Sequence, residues 1–325
     1  MKLSLKENVL TELLTTLRTG EALSGQSLAK KFGVSRNAIW KTIKALQSDG
    51  YNIIAGKNRG YELSGNYDIL SSEVIRAKLY EKVGAILDIF VYDEIDSTNS
   101  EAKRLLADGK KEPFLVIADS QSAGRGRFGR DFFSPSKTGV YMTLVVSPKI
   151  QTNAPVTITA AAAVAVSRAI KKLTGKNVQI KWVNDIFLNE KKVCGILTEA
   201  VADIESGTFK NIIIGIGINL TTEDFPPELS QIAGSVGCVN RVELISEVRS
   251  ELLGFVENIS DNGFIKEYRD LSCVIGEDIV FYKDNEKFIG HASDIDDSGG
   301  LIVKLAEGRT EILRSGEISI RTLPC

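Results

Sequence analysis

Histidine is almost absent from this chain, with His291 the single example among 325 residues. A serine or cysteine nucleophile activated by a histidine base would have to depend on that one side chain, and a histidine-rich metal site is excluded. We therefore interpret His291 as a structural residue. The chemistry of the chain must come from other residue types.

A zinc or disulfide pattern of cysteines and a secretion signal are also absent. The four cysteines are too widely spaced for a zinc or disulfide pattern: Cys194, Cys238, Cys273 and Cys325. The apolar stretch from residue 3 to 17 is interrupted by Lys6, Glu7 and Glu12 and so lacks the build of a signal peptide. A reducing cytoplasm is the expected location.

Long uncharged apolar runs are also missing. The alanine-rich segment 155–173 comes nearest, but it carries Arg168, Lys171 and Lys172, so we predict a buried helix instead of a membrane span. With 43% apolar and 25% charged residues, the chain has the composition of a soluble protein and the length for two or three domains.

The first 65 residues predict a winged helix-turn-helix. Apolar residues recur at the helical period over 6–19, 26–32 and 35–47, and an apolar hairpin over 51–63 follows as the wing. This segment holds ten Lys or Arg and five Asp or Glu, a net charge of +5, whereas the whole chain carries −2 and the remainder therefore −7. Such asymmetry is typical of a module that meets a phosphate backbone.

Two uses of that module fit the pattern, namely DNA binding and protein contacts alone. For DNA, the third helix would enter the major groove. The candidate DNA-binding residues lie on this helix and at the wing tip: Ser35, Arg36, Asn37, Lys41, Lys44, Lys57 and Arg59.

The segment 122–130, Ser-Ala-Gly-Arg-Gly-Arg-Phe-Gly-Arg, lies between two predicted strands, 114–119 and 140–146. Its glycines allow the backbone to approach a ligand closely, and its arginines supply forked donors for an anion. The segment matches neither a Walker A loop nor a dinucleotide fingerprint. A solvated basic loop or a short Arg-Gly nucleic-acid segment is the alternative.

Three further segments are candidates for the same site. A polar turn at 96–99 precedes a helix predicted over 100–107, and its Ser97 and Thr98 would serve either as ordinary helix caps or as ligand donors. A strand predicted over 178–186 ends in Asn184-Asp185 and turns back. An ordinary hairpin would explain this turn but not a lysine that enters an apolar strand beside a glycine, so we expect Lys181 or Lys192 to point into a site. In the strand 211–220, Gly215 and Gly217 share a face and predict a flat strip for a ring.

The chain after Cys273 changes character. Five short strand candidates, near 278–282, 287–295, 301–305, 309–313 and 317–320, predict a small closed β-barrel. A turn at 296–300, Asp-Asp-Ser-Gly-Gly, separates two of them.

Taken together and in order, these motifs resemble the family of bifunctional biotin protein ligases and biotin operon repressors. The resemblance covers essentially the whole chain. It rests on the winged helix and five motifs: Asp96-Ser97-Thr98-Asn99, residues 121–127, Lys181-Trp182-Val183-Asn184-Asp185, Lys192-Val193-Cys194-Gly195-Ile196 and Gly215-Ile216-Gly217-Ile218-Asn219. Val183 replaces the proline usual in the family, and Cys194 replaces a small residue.

The resemblance implies an α+β multidomain fold. It implies a winged helix-turn-helix over 1–65, a central mixed α/β ligase domain over 66–272 similar to class II synthetases, and an SH3-like β-barrel over 273–325. It also implies synthesis of biotinyl-5′-AMP from biotin and ATP with Mg²⁺, followed by transfer of biotin to a lysine of the biotin carboxyl carrier protein.

The resemblance assigns roles to individual residues. The catalytic set is Arg125, Arg127 and Lys192. The biotin-binding set is Ser97, Thr98, Asn99, Gln121, Arg125, Gly126, Arg127, Lys192, Gly195 and Gly215, with Gly217 giving room. The set for ATP and Mg²⁺ is Lys181, Asn184, Asp185 and Asn219, with no metal site made by protein alone.

The resemblance further implies a homodimer that forms on binding biotinyl-5′-AMP and represses biotin-operon DNA. Two other classes are considered: a lipoate-type acyl-adenylate ligase, and a ligand-sensing transcription factor without turnover. The motif 124–127 and Lys192 argue against the second class, because a sensor without turnover needs no such charge.

Overall fold

The computed structural model describes residues 4–56, 60–64, 68–83, 88–147, 154–203, 208–283, 286–316 and 318–320. The chain divides into two compact units. The first is Met1–Ile86 with Asn240–Ser246, and the second is Leu87–Val239 with Glu247–Cys325. The predicted boundaries at residues 65 and 272 stay predictions.

The first unit is helical with one hairpin. Its elements are α1 (Leu5–Thr19), α2 (Gly25–Phe32), α3 (Arg36–Ser48), β1 (Ile53–Gly56), β2 (Gly60–Leu63) and α4 (Ser72–Val83). Each of the first three helices starts at a serine N-cap, and α1 and α2 end at glycines in the left-handed region, Gly20 and Gly33. The three predicted helices are confirmed to within a residue or so.

The third helix packs as its periodicity predicts. Ile39, Ile43 and Leu46 are buried, whereas the predicted DNA-facing residues on and next to the helix are exposed. β1 and β2 pair as an antiparallel hairpin, with Ile53 opposite Leu63. The tip residues Lys57 and Arg59 lie outside the described residues.

The second unit contains a seven-stranded sheet. Its strands are β3 (Asp88–Ile95), β4 (Phe114–Gln121), β5 (Gly139–Val146), β6 (Gln179–Lys181), β7 (Asp185–Leu188), β8 (Lys191–Asp203) and β9 (Thr208–Asn219). They are ordered β3-β4-β5-β9-β8-β7-β6, with β3 and β4 parallel and the other pairs antiparallel. Every residue of β5 is buried, so this strand forms the middle of the core.

Three helices accompany this sheet. They are α5 (Thr98–Ala107), α6 (Ala154–Thr174) and α7 (Arg241–Glu257), of which α7 begins in the first unit. The predicted helix at 155–173 is thus confirmed, and its alanines 160–163 are fully buried. Among the described helices, none combines the length and apolarity needed to cross a membrane. A short helix, α8 (Phe264–Asp270), follows.

The predicted strand over 178–186 is wrong in its extent. The strand β6 ends at Lys181, the chain reverses over Trp182, Val183 and Asn184, and Asp185 already pairs with Lys181 as the first residue of β7. Trp182 explains the early turn: its indole is buried and donates from Nε1 to the Gly299 carbonyl at 2.9 Å. A partner more than a hundred residues away fixes this reversal.

The C-terminal strands are β10 (Asp278–Lys283), β11 (Glu286–Ile295), β12 (Leu301–Leu305), β13 (Thr310–Leu313) and β14 (Ile318–Ile320). They form one antiparallel sheet ordered β13-β12-β11-β10-β14. The five predicted strands are confirmed. Within the described residues, β13 and β14 are the edge strands of this sheet. His291 lies on β11 with Nδ1 3.1 Å from Asp278 Oδ1.

Candidate functional site

One cavity lies at the end of the seven-stranded sheet where β4 and β9 finish and β5 and β8 begin. All fourteen residues predicted for biotin, ATP and metal line it: Ser97, Thr98, Asn99, Gln121, Arg125, Gly126, Arg127, Lys181, Asn184, Asp185, Lys192, Gly195, Gly215 and Asn219. These residues come from five separated stretches of sequence. The fold therefore brings the predicted site together, and each residue's role stays a prediction.

The neutral side of the cavity is lined by Thr98, Asn99 and Gln121, and Thr143 lies behind them in the same hydrogen-bond network. Gln121 Oε1 accepts from the Thr98 backbone N–H at 2.8 Å, and Gln121 Nε2 donates to Ser134 Oγ at 2.8 Å. Thr143 Oγ1 lies 2.8 Å from Thr98 Oγ1 and 2.7 Å from Asn99 Oδ1. Thr98, Asn99 and Thr143 are at most 4% exposed, so these dipoles have fixed directions.

Ser97 does not act as an ordinary helix cap. It occupies the N-cap position of α5, but its hydroxyl makes no capping hydrogen bond. The first free N–H of the helix, that of Thr98, is taken by Gln121 instead. The alternative in which Ser97 serves only to cap the helix is therefore wrong, and its buried hydroxyl remains at the cavity wall.

The charged side of the cavity, formed by Arg125, Arg127 and Lys192, has protein partners for each cation. Arg127 Nη1 donates to Asn184 Oδ1 at 2.9 Å, and Nη2 donates to the Gly316 carbonyl at 3.0 Å. Lys192 Nζ lies 2.8 Å from Asp185 Oδ1, an ion pair outside hydrogen-bond geometry. Arg125 Nη2 lies 3.6 Å from Glu199 Oε1.

The flat strip predicted at Gly215 and Gly217 is wrong in one respect. Both glycines face the cavity side of the sheet, but a Cβ at Gly215 would overlap the side chain of Asn99, and one at Gly217 would overlap the ring of Phe132. The missing side chains make room for two protein groups, which then form the wall that a ligand meets. The glycines thus act through Asn99 and Phe132.

The part of the wall predicted to bind ATP contains one unsatisfied acceptor. Asn219 is buried, and its Nδ2 donates to the Gly234 carbonyl at 3.2 Å, whereas its Oδ1 has no hydrogen-bond partner among the described residues. A buried acceptor that lines a cavity calls for a donor from a ligand or a water molecule. Lys181 lies on the same wall, with its Nζ 5.9 Å from the centre of the Phe187 ring.

Sequence reasoning missed three residues that build this site: Thr143, Phe132 and Glu199. Thr143 was detectable as the one aliphatic hydroxyl in the largely apolar run of β5. Glu199 was detectable as a charge inside the strand β8. Phe132 carried no signal, because its position under Gly217 depends on the fold of the loop after residue 130.

Glu199 gathers two hydrogen-bond donors and one further cation behind the cavity wall. Lys103 Nζ lies 2.8 Å from Oε1, Asn99 Nδ2 donates to Oε2 at 3.0 Å, and Arg125 adds its charge. Burial raises the pKa of Glu199, but the hydrogen bonds from Lys103 and Asn99 and the two positive charges lower the pKa by more, so the pKa of this carboxyl lies below its ordinary value.

In the first unit, α3 presents a basic face. Arg36, Lys41 and Lys44 are exposed, as predicted. Trp40 stands among them and is 50% exposed, a residue that the sequence reasoning missed although the helical period places it on this face. Arginine and lysine side chains with an exposed indole form a surface suited to a DNA groove.

The comparisons with known sequences follow the same divisions. Family profiles match residues 9–62 as an HTH domain, 91–219 as the biotin/lipoate A/B protein ligase family, and 274–321 as the biotin protein ligase C terminal domain. The bifunctional ligase/repressor BirA of Bacillus spizizenii is 36% identical over 302 residues, which is 90% of this chain and 92% of that protein.

Two further relatives also match most of this chain. The bifunctional ligase/repressor BirA of Escherichia coli is 27% identical over 98% of this chain and 99% of its own length. The biotin protein ligase of Aquifex aeolicus, solved in complex with biotin and ATP, is 25% identical, covers 73% of this chain and 99% of its own, and superposes with a TM-score of 0.62. The α+β multidomain fold is thereby confirmed, and this chain belongs to the family of bifunctional biotin ligase/repressors.

Proposed function

We propose that this chain joins biotin to ATP to give biotinyl-5′-AMP, transfers the biotinyl group to a lysine of the biotin carboxyl carrier protein, and represses biotin-operon DNA. The observation that carries the ligase activity is a single cavity with fixed neutral dipoles on one side and two arginines and a lysine on the other. A ring with polar edges and an acyl phosphate need these two kinds of wall.

Biotin would lie with its ureido ring on the neutral side. The Ser97 hydroxyl, Asn99 Oδ1 and the Thr98–Gln121 pair line that wall, and the apolar remainder of the ring would contact Phe132. These dipoles are already held by protein partners. Binding therefore costs little rearrangement on this side.

The carboxylate would lie on the charged side, where Lys192, Arg125 and Arg127 attract both it and the α-phosphate of ATP. One carboxylate oxygen attacks the α-phosphorus, the bond from phosphorus to the oxygen bridging to the β-phosphate breaks, and pyrophosphate leaves with the electron pair. The cations stabilise the negative charge that grows on the phosphoryl oxygens. On binding the ligand, Lys192 would give up its ion pair with Asp185.

The nucleotide would lie beside Asn184, Lys181 and Asn219, where the free Oδ1 of Asn219 can accept from an exocyclic amine. Mg²⁺ would arrive with ATP and supply further charge neutralisation at the phosphates. The carboxylate of Asp185 at the cavity wall is an oxygen donor of the kind that Mg²⁺ prefers, so the residues present fit the ion.

In the second step, the amine of the acceptor lysine attacks the acyl carbon of the mixed anhydride. The bond from carbon to the phosphate oxygen breaks, AMP leaves, and the amine loses a proton as the amide forms. Arg125 and Arg127 would again hold the phosphate as its charge returns. Loop 122–130 carries both arginines, so it would also shield the anhydride from water until the acceptor arrives.

The repressor activity would use the first unit. The exposed face of α3 would contact operator DNA through Arg36, Asn37, Trp40, Lys41 and Lys44. We propose that binding of biotinyl-5′-AMP favours a homodimer, because two helix-turn-helix modules related by a two-fold axis match a two-fold operator.

The ligase test uses the pure protein with ATP labelled at the α-phosphate, Mg²⁺ and biotin. We expect pyrophosphate release and a protein-bound labelled adenylate that appear only with biotin. Lipoate in place of biotin is the second arm, because the matching family includes lipoate ligases. Adenylate with lipoate alone would contradict the substrate, and no adenylate with either would contradict the enzyme.

The DNA test uses the full chain with alanine at Arg36, Lys41 and Lys44 together. Loss of specific operator binding with unchanged adenylate formation is expected, because three phosphate or base contacts disappear. A matched triple variant at exposed lysines elsewhere should bind DNA normally: Lys171, Lys266 and Lys304. Equal loss in both variants would show that only overall charge matters.

A further inference from the structure

Glu199 lies one step behind the ligand cavity. On β8, Leu197 lines the cavity, and Glu199 follows two residues later on the same face of the strand. The Glu199 side chain is 21% exposed and its carboxylate points back to α5, where it meets Lys103 and Asn99. The residue is outside the cavity lining, so any effect on a ligand must pass through Asn99 or Arg125.

The side-chain amide of Asn99 is held at both ends. Its Nδ2 donates to Glu199 Oε2 at 3.0 Å and to the Leu197 carbonyl at 3.3 Å, while its Oδ1 lies 2.7 Å from the hydroxyl of Thr143. An ionised carboxylate can only accept hydrogen bonds, so the end of the amide that faces Glu199 must be the NH₂. A flipped amide would set its oxygen against the carboxylate and a backbone carbonyl.

We infer that Glu199 and Thr143 fix the amide orientation of Asn99 and thereby make the neutral side of the cavity selective for a ligand that presents an N–H at this point. Both amide hydrogens are used by Glu199 and Leu197, which leaves only the second lone pair of Oδ1 for a ligand. Glu199 is a positioning residue in this arrangement, because it acts through Asn99.

This inference rests on the proposed function, in which the ligand is biotin. The ureido group of biotin carries two N–H donors, so an Asn99 that offers only an acceptor is complementary to one of them. A flipped Asn99 would oppose an N–H with an NH₂, which loses a hydrogen bond and buries two donors without partners. Glu199 would therefore decide recognition of the ring without touching it.

The charges around Glu199 support this role. Lys103 and Arg125 hold the carboxyl ionised, and an ionised acceptor orients the amide more strongly than a neutral one. Lys103 approaches from α5, Arg125 from loop 122–130, and the opposite oxygen faces Asn99. The carboxylate therefore has one oxygen for the cations and one for the amide.

The experiment measures biotin binding to the full-length protein by calorimetry in the absence of ATP. Glu199→Gln keeps the shape but can present either an oxygen or an NH₂, so both amides can flip together. We expect about tenfold weaker biotin binding, the size of one misdirected hydrogen bond, with the KM for ATP unchanged. Thr143→Val releases the other end of the amide and should do the same, whereas Thr143→Ser should restore binding.

The double variant, Glu199→Gln with Thr143→Val, distinguishes orientation from general damage. If both residues act on one amide, the combined loss of biotin affinity is smaller than the product of the single losses. The control is Glu247→Gln, which breaks another pair of a mostly buried glutamate with a lysine, Lys172, and should leave biotin binding unchanged.

Two outcomes would overturn the inference. If wild-type protein binds biotin and both Glu199→Gln and Thr143→Val bind it equally well, the amide is oriented by other means. If affinities for biotin and ATP fall together with the melting temperature, the carboxylate is only structural. A wild-type protein that does not bind biotin would remove the proposed function, and the inference with it.

Discussion

The two sides of the cavity use opposite designs. On the neutral side, Thr98 and Asn99 are 4% and 3% exposed and their polar atoms have fixed partners. On the charged side, the side chains of Arg125 and Lys192 are 46% and 35% exposed, and their partners, Glu199 and Asp185, are replaceable carboxylates. The polar groups of the neutral side are in place before a ligand binds. The cations of the charged side must instead exchange their protein partners for the ligand.

The difference follows from the cost of burying charge. A neutral amide or hydroxyl can be buried cheaply once it is hydrogen-bonded, so a neutral ring can be read by rigid dipoles. A buried cation without a partner is far more costly, so cations waiting for phosphate stay near solvent beside a carboxylate. Recognition of the ring and attraction of the phosphate are therefore separable, and the variants below test that separation.

The largest effect is expected at Lys192. Lys192→Ala removes the ammonium that we propose faces the carboxylate and the α-phosphate, so adenylate formation should fall by roughly 10²–10³-fold, as for other transition-state charge contacts. The rate of pyrophosphate release measures it. Lys191→Ala is the matched control, since that neighbour donates to the Ser230 carbonyl and lies outside the cavity. Biotin affinity equal to wild type in Lys192→Ala would sharpen the separation, and near-normal turnover would exclude Lys192 from the mechanism.

The next effect is expected on the neutral side. Gly215→Ala places a methyl group where the Asn99 side chain lies, so Asn99 must move. Biotin affinity should fall by about 10- to 100-fold, equivalent to the ~1–3 kcal/mol that overpacking costs. Calorimetry with biotin measures the loss. In the control Gly254→Ala, the new methyl on α7 meets nothing within 4 Å. Unchanged biotin binding in Gly215→Ala would show that Asn99 is dispensable.

A smaller effect is expected for Arg127→Lys. The lysine keeps the charge but cannot reach Asn184 and the Gly316 carbonyl with two separate donors. We expect about a tenfold lower rate of adenylate formation with biotin affinity intact. The substitution keeps the charge of the loop but removes the contacts that hold the loop in position. Arg168→Lys, which alters a comparable two-partner arginine on α6, serves as control. A fall in biotin affinity alone would contradict the separation of ring recognition from phosphate attraction.

The smallest effect concerns Asp96, at the turn that leads into the neutral side. Hydrogen bonds from Arg104 lower the pKa of Asp96 from 3.8 to about 2, against the opposing effect of burial. Its folded pKa is depressed, so its contribution to the free energy of unfolding is complete above about pH 4 and disappears as pH falls towards 2.

Acid unfolding followed by circular dichroism measures this contribution. Asp96→Asn should flatten the pH dependence between about 4 and 2 by a small amount, because the Asp96 side chain is 45% exposed and screened by solvent. Asp108→Asn, at the other end of α5, is the control and should leave the curve unchanged. An identical pH dependence in Asp96→Asn and wild type would contradict the role of the Arg104 pair.

Local signals predicted much of the fold. Ser35 and Gly33 mark the boundaries of α2 and α3, and both the caps and the burial of Ile39 and Ile43 match the helical period. The five C-terminal strands were found in the same way. These features depend on hydrogen bonds and apolar faces within a few residues of each other, so a linear pattern records them.

Other features were beyond the reach of local patterns. The reversal after Lys181 is fixed by Trp182 bonding to Gly299, and Arg127 is held by Gly316, so both depend on the C-terminal sheet. Gly215 and Gly217 were correctly placed on one face, but what fills the space above them, Asn99 and Phe132, arrives from other parts of the chain.

Composition and motifs alone identify the available chemistry: arginine, lysine and amide side chains, almost no histidine, and a basic helix-turn-helix. They also predict the fourteen site residues, and all of these line one cavity, while each residue's role stays a prediction. How these side chains are held depends on the folded chain. Residues far apart in sequence, such as Asn99, Thr143 and Glu199, constrain one another through directional hydrogen bonds that exist only after the strands have paired.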